Sequence, residues 1–104
     1  MLDTELEKWK IYLSQFSKNE NYILSLKPDK GESIWWFLTN LCINPKTLVF
    51  AVDNWETNEQ IFDDNIFNIK SKAHLVKIKN NISTVLTNFI TNNIYKFNII
   101  YLNV

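Results

Sequence analysis

Thr47 to Val52 reads Thr-Leu-Val-Phe-Ala-Val, β-branched or aromatic and apolar at nearly every position. A strand with one wet face alternates, whereas a strand apolar throughout is buried on both faces, as in a parallel sheet covered by helices. The chain must therefore supply helical cover on each side of this run. The flanking sequence does so. Leu2 to Phe16 repeats Leu6, Trp9, Tyr12, Leu13 and Phe16 at steps of three and four, an amphipathic helix. A polar break, Ser17 to Asn21, precedes a short apolar run, Tyr22 to Leu26. Ser33 to Ile43 is helical in period, with Ile34, Phe37, Leu38 and Leu41 inward, and Asn44-Pro45 ends it. Beyond the central run, Thr57 to Ile69 carries Ile61, Phe62, Ile66 and Ile69 at helical spacing, with Thr57 and Asn58 as candidate caps. Ala73 to Ile78 is a third strand. A helix capped by Asn81 or Ser83 holds Val85, Leu86, Phe89 and Ile90, and Phe97 to Leu102 is a fourth strand.

This alternation predicts an α/β fold: a doubly wound, mostly parallel four-stranded sheet in the order 3-2-1-4, with helices on both faces. Residues 1–104 form a single domain, an N-terminal helix over 1–17 followed by a βαβαβαβ core over 21–104. The order changes direction between strands 1 and 4, and ligands of such sheets sit at that point, beyond the carboxyl ends of the strands.

Composition narrows the function classes. Basic and acidic residues balance at 11 each, so no overall field draws the chain to nucleic acid. No apolar run approaches the roughly 18 residues that span a bilayer, and no secretory signal is evident. A lone Cys42 makes no internal disulfide and no metal cluster with His74, consistent with a cytoplasmic protein. Asn81-Ile82-Ser83 matches a glycosylation acceptor, a chance match in an Asn-rich chain without a secretory signal. No Ser-His-Asp or Cys-His order suggests a hydrolase, and Asp63-Asp64 reads as a solvated helix face. The lysines 70, 72, 77 and 79, with Tyr95 and Lys96 at another turn, carry too few interleaved aromatics for a nucleic-acid platform. Of four tryptophans, Trp36 reads as core, Trp9 as core or interface, Trp35 as the edge of its helix stripe, and Trp55 as either packing or a face on which a base stacks.

The first strand-to-helix turn holds the only glycine, Gly31, in Lys27-Pro28-Asp29-Lys30-Gly31-Glu32-Ser33. A helix opening after a glycine turn favours an anion or carboxylate through its free N–H groups. Asp53, at the end of strand 2, follows at about the 20-residue spacing of a carboxylate that accepts from ribose hydroxyls. The bland alternatives are a turn glycine and a solvated acid.

Together these residues resemble the first half of class I S-adenosylmethionine-dependent methyltransferases, in particular small members whose first motif reads E-x-G-S-x-x-G-x-S-x-x-W. Gly31, Ser33 and Trp36 match the last part of that motif, and Phe50 to Glu56 matches the strand-2 ending apolar-Asp-x-Trp-Glu. Phe62 and Asn65 match a Phe-x-x-Asn in the next helix; Lys79-Asn80-Asn81 and Phe97 to Asn103 fall on the ends of strands 3 and 4. The resemblance covers about three quarters of the chain. It implies half of a Rossmann-like methyltransferase fold, with S-adenosylmethionine as cofactor. Asp53 would then hold the ribose, Asn81 and Ile82 would meet the adenine, Gly31 would lie beneath the methionine moiety, and Trp55 would stand beside the site.

The chain departs from that pattern where the cofactor would sit. Ser25 and Lys27 stand at the family's strand-1 acid and first glycine, Asn81 at the adenine-binding Asp, and Asn103 at the strand-4 acid. These changes predict a pseudoenzyme with weakened or lost cofactor binding. No general base for methyl transfer can be named. Strands 5 to 7 of the family have no counterpart, so strand 4 is expected to be an exposed edge. The alternative function is thus an interaction module, binding a second copy or a partner chain through that edge or the N-terminal helix. A remnant without selected function is a third possibility.

Overall fold

A computed structural model describes residues 3–92 and 96–103, with side chains from residue 7 onward. The expectations for Leu2, for the Leu6 side chain and for Tyr95 lie outside the described residues. In chain order the elements are α1 (Asp3–Leu13), a short 3-10 turn (Ser14–Phe16), β1 (Tyr22–Leu26), α2 (Glu32–Asn40), β2 (Leu48–Asp53), α3 (Glu59–Phe67), β3 (His74–Lys79), α4 (Ile82–Asn92) and β4 (Ile99–Leu102). The strands form one sheet in the order β3-β2-β1-β4. All three neighbouring pairs are parallel, with Leu24 beside Phe50 and Ile100, and Phe50 beside Val76. The expected order and direction of the sheet are both present.

Side-chain alternation along the strands makes two cores. On one face Ile23, Val49, Ala51, Leu75, Ile99 and Tyr101 meet α1, α2 and α3 through Trp9, Phe37, Phe62 and their neighbours. On the other, Leu24, Leu26, Phe50, Val52, Val76 and Ile78 meet α4 and Phe97. β2 is buried from Val49 to Asp53, the condition its unbroken apolar sequence demands. The cover is unequal, three helices against one. That inequality leaves Ile100 and Leu102, the β4 residues on the α4 face, 63% and 53% exposed.

Two helices are shorter than their periodicity suggests. α2 ends at Asn40 because the side chains of its last turn take its carbonyls. The Thr39 hydroxyl donates to Trp35 C=O (2.8 Å) and the Asn40 amide to Trp36 C=O (3.0 Å). Such local bonds compete with helix propagation, and Ile43 is left exposed. α3 begins only after Asn58, whose φ of 66° is left-handed. Asn58 makes no side-chain cap; its amide instead donates to Asp29 Oδ1 (2.9 Å).

Gly31 precedes α2 with φ 95°, and a Cβ there would stand 3.1 Å from Phe62 Cδ2. The glycine thus serves both a left-handed turn and the close approach of α3. Gly31→Ala should destabilise the fold by about 1–3 kcal/mol, from the left-handed penalty and the crowding of Phe62. Urea denaturation measures this as a lower midpoint at unchanged slope.

The amino ends of the strands are tied by a buried asparagine. Asn21 N–H donates to Thr47 Oγ1 (3.0 Å), Asn21 Nδ2 to Phe16 C=O (2.8 Å), and Asn98 Nδ2 to Asn21 Oδ1 (2.7 Å).

Candidate functional site

The carboxyl ends of β1 and β2 carry two loops, 27–31 and 54–58, and these hold every non-glycine residue of positive φ among those described. They are Lys27 (57°), Asp29 (52°), Trp55 (43°) and Asn58 (66°). Each costs on the order of 1 kcal/mol or more and persists only where surrounding bonds enforce it.

Asp29 and Asp53 supply those bonds. Asp29 N–H donates to Asp53 Oδ2 (3.2 Å), and its carbonyl accepts from Trp55 Nε1 (2.9 Å). The carboxylate of Asp29 accepts from the Asn58 amide (2.9 Å). Asp53 Oδ1 accepts from Trp55 N–H (3.1 Å), an Asx turn that folds the chain back under its own carboxylate. Both oxygens of Asp53 therefore hold main-chain N–H groups of this protein, and the residue is only 8% exposed. The second loop is clamped onto the first.

Trp55 is 4% exposed. Its ring lies against Phe62 (centroids 4.7 Å apart), with Lys77 Nζ 5.1 Å from the indole centroid. The indole is a packed core element whose only polar atom is already bonded to Asp29. Lys77 in turn donates to Glu59 Oε2 (2.6 Å) and Asp63 Oδ1 (2.8 Å), and Lys79 donates to Glu59 Oε1 (2.6 Å). Glu59, Asp63, Lys77 and Lys79 thus form one network, with Lys77 over the indole. The hydrogen bonds from Lys77 and Lys79 hold the Glu59 carboxyl below its ordinary range. Burial pulls Lys77 down, but Asp63 and Glu59 outweigh it and raise the ammonium above its usual value. A lowered acid contributes stability in full above its unfolded value and loses it as pH falls through the folded one. The melting-temperature gap between the wild type and Glu59→Gln should therefore be constant above about pH 5 and shrink below about pH 4.

Of the expected site residues, Asp53, Trp55 and Gly31 come together, joined through Asp29 and Phe62. Asn81 and Ile82 do not join them. Asn81 Oδ1 accepts from Thr84 N–H (3.3 Å) as the cap of α4, and Ile82 packs in the core beneath that helix. At the switch point between β1 and β4, Asn103 N–H donates to Leu26 C=O (3.1 Å) and Asn103 Nδ2 to Lys27 C=O (3.1 Å). Ser25 and Ser33 share a buried hydrogen bond (3.1 Å) across the same corner. A polar crevice of about 190 Å³ is lined by Asp29, Lys30, Glu32, Ser33, Tyr101 and Asn103, and another of about 300 Å³ at the same strand ends by Lys27, Asp29, Asp53, Asn54, Trp55 and Asn103.

Each oxygen of the Asp53 carboxylate already accepts one main-chain N–H, the indole is covered, and a lysine backbone occupies the left-handed position suited to glycine. Lys27→Gly should raise stability by about 0.5–1 kcal/mol, the left-handed penalty less the extra freedom of glycine in the unfolded chain. Chemical denaturation reads this as a higher midpoint. Sequence reasoning missed Asp29 and Asn58, whose only trace was their Asx character in turn segments.

Among the described residues no helix is long and apolar enough to cross a membrane. No protein-family model matches the chain, and no curated protein matches it.

Proposed function

We propose that this chain is a methyltransferase-like frame whose Asp53 is engaged by its own loops rather than by a cofactor, and that it works as a non-catalytic interaction module. Its working surface is the β4 edge, which pairs with a strand of another polypeptide in a cytoplasmic setting. One observation carries the reading: β4 pairs on one side only among the described residues, and two large apolar side chains stand exposed along it. Edge strands of this kind recruit further strands unless charge, proline or a covering element blocks them, and residues 97–103 contain neither charge nor proline. The engaged Asp53 supports the other half of the reading, because each of its oxygens already accepts a main-chain N–H, which leaves fewer acceptor sites for a ligand.

A photoreactive amino acid at position 100 of the full chain, activated in the cell, tests the proposal. The expected result is a discrete cross-linked species that is lost when Leu102→Pro removes an edge N–H. A probe at Phe67, exposed on α3, should give none. A position-100 probe that yields no discrete species would overturn the reading.

A further inference from the structure

Residues 28–30 form a strap across the carboxyl ends of the strands, and we infer that this strap opens as one unit, short of global unfolding, while the loop it is fastened to stays folded. The inference stands apart from the edge-pairing reading above.

The strap divides two crevices. The one of about 190 Å³ and the one of about 300 Å³ have only Asp29 and Asn103 in common among their described lining residues. Asn103 is tied to the sheet through Leu26 C=O and Lys27 C=O. Asp29 is the part of the shared wall that can leave. Its departure joins the two crevices and uncovers Oδ2 of Asp53 and the indole N–H of Trp55, the groups it now occupies.

Every fastening of the strap is a side chain. Among the described residues, Pro28, Asp29 and Lys30 make no main-chain to main-chain hydrogen bond outside the turn; within it, Gly31 N–H donates to Pro28 C=O (2.8 Å). Asp29 is held by Asp53, Trp55 and Asn58, and Lys30 C=O by the Asn65 amide (2.8 Å). Three of these four bonds converge on one residue, so they break together.

The backbone favours release. Lys27 and Asp29 stand at φ 57° and 52° on either side of Pro28. Left-handed backbone is disfavoured for any residue with a Cβ, and the residue before a proline prefers an extended conformation, so Lys27 is displaced on both counts. Letting Asp29 go allows both residues to relax. The two ends are fixed, because Lys27 N–H donates to Val52 C=O (2.9 Å) and Gly31 C=O accepts from Trp35 N–H (2.8 Å). Pro28 is buried, whereas Asp29 and Lys30 are exposed, so opening uncovers little apolar area. The partner loop, 54–58, is anchored differently: Trp55 is buried against Phe62 and beneath Lys77.

Hydrogen exchange of the full chain, followed by NMR in rising sub-denaturing urea, tests the strap. Asp29 N–H and the Trp55 indole N–H should share one opening equilibrium, nearly independent of urea, and open at least about 100-fold more often than the amides of Val49 to Val52. The main-chain N–H of Trp55, held by the other oxygen of Asp53, should not exchange with them. Asn58→Gly removes one fastening and keeps the left-handed turn, and should speed both strap protons by the same factor, about two- to tenfold. Exchange of the two protons only together with β2, exchange at the rate of a free peptide, unequal responses to Asn58→Gly, or release of the Trp55 main-chain N–H in the same opening would each overturn the inference.

Discussion

Phe62→Ala should destabilise this protein by about 3–5 kcal/mol, a large part of the total for a domain of this length, for which about 5–15 kcal/mol is typical. Phe62 is fully buried and stands at the junction of three features. Its ring packs against Trp55 and closes to 3.1 Å on the position a Gly31 Cβ would take. It also lies 5.9 Å from the Lys77 ammonium. Truncation would open a void under both carboxyl-end loops, and the indole could not fill it without giving up its bond to Asp29. The expected result in urea is a much lower midpoint at unchanged slope, with Phe62→Leu retaining most of the stability because it keeps most of the volume. If Phe62→Ala cost less than about 1 kcal/mol, the loops would not depend on this contact.

Asp53→Asn should be nearly as damaging as Asp53→Ala, at about 2–4 kcal/mol. The carboxylate accepts one main-chain N–H on each oxygen. An amide keeps a single acceptor and turns an NH₂ group toward the other donor, leaving a buried N–H unsatisfied, and each bond to a charged acceptor is worth about 1.5–3 kcal/mol. The loss should appear in thermal melts of the ligand-free protein. A residue kept for ligand binding behaves in the opposite way, since its removal leaves ligand-free stability unchanged or improves it. Stability therefore separates the two roles of Asp53 without any cofactor present.

How much of this was legible depended on whether the signal was local. The strands and their order follow from runs and periods within one segment: Leu48 to Val52 is apolar throughout, as suits a β2 with helices on both sides, and Tyr22–Leu26 is bounded as its polar flanks suggest. The helix ends were less legible, because Thr39 and Asn40 bind carbonyls three and four residues back while leaving the apolar period intact. The knot at the carboxyl ends gave no local signal at all. The bonds that join Asp29 to Asp53, Trp55 and Asn58 span 24, 26 and 29 residues, and they exist only once β1 and β2 are paired. The same holds for Lys77, whose carboxylate partners lie on α3. Asp53 and Trp55 drew attention as candidate cofactor contacts. Sequence spacing fits a ligand carboxylate and a loop clamp equally well, and it carries no sign that the Asp29 and Trp55 amides both point at Asp53.

Calorimetric titration of the full chain with S-adenosylmethionine and S-adenosylhomocysteine tests the loop-held Asp53 most directly. A frame whose Asp53 is held by its own loops predicts no saturable heat with either compound up to about 1 mM. Micromolar binding that disappears in a folded Asp53→Ala variant would contradict it, and would restore the crevice between β1 and β4 as a working cofactor site.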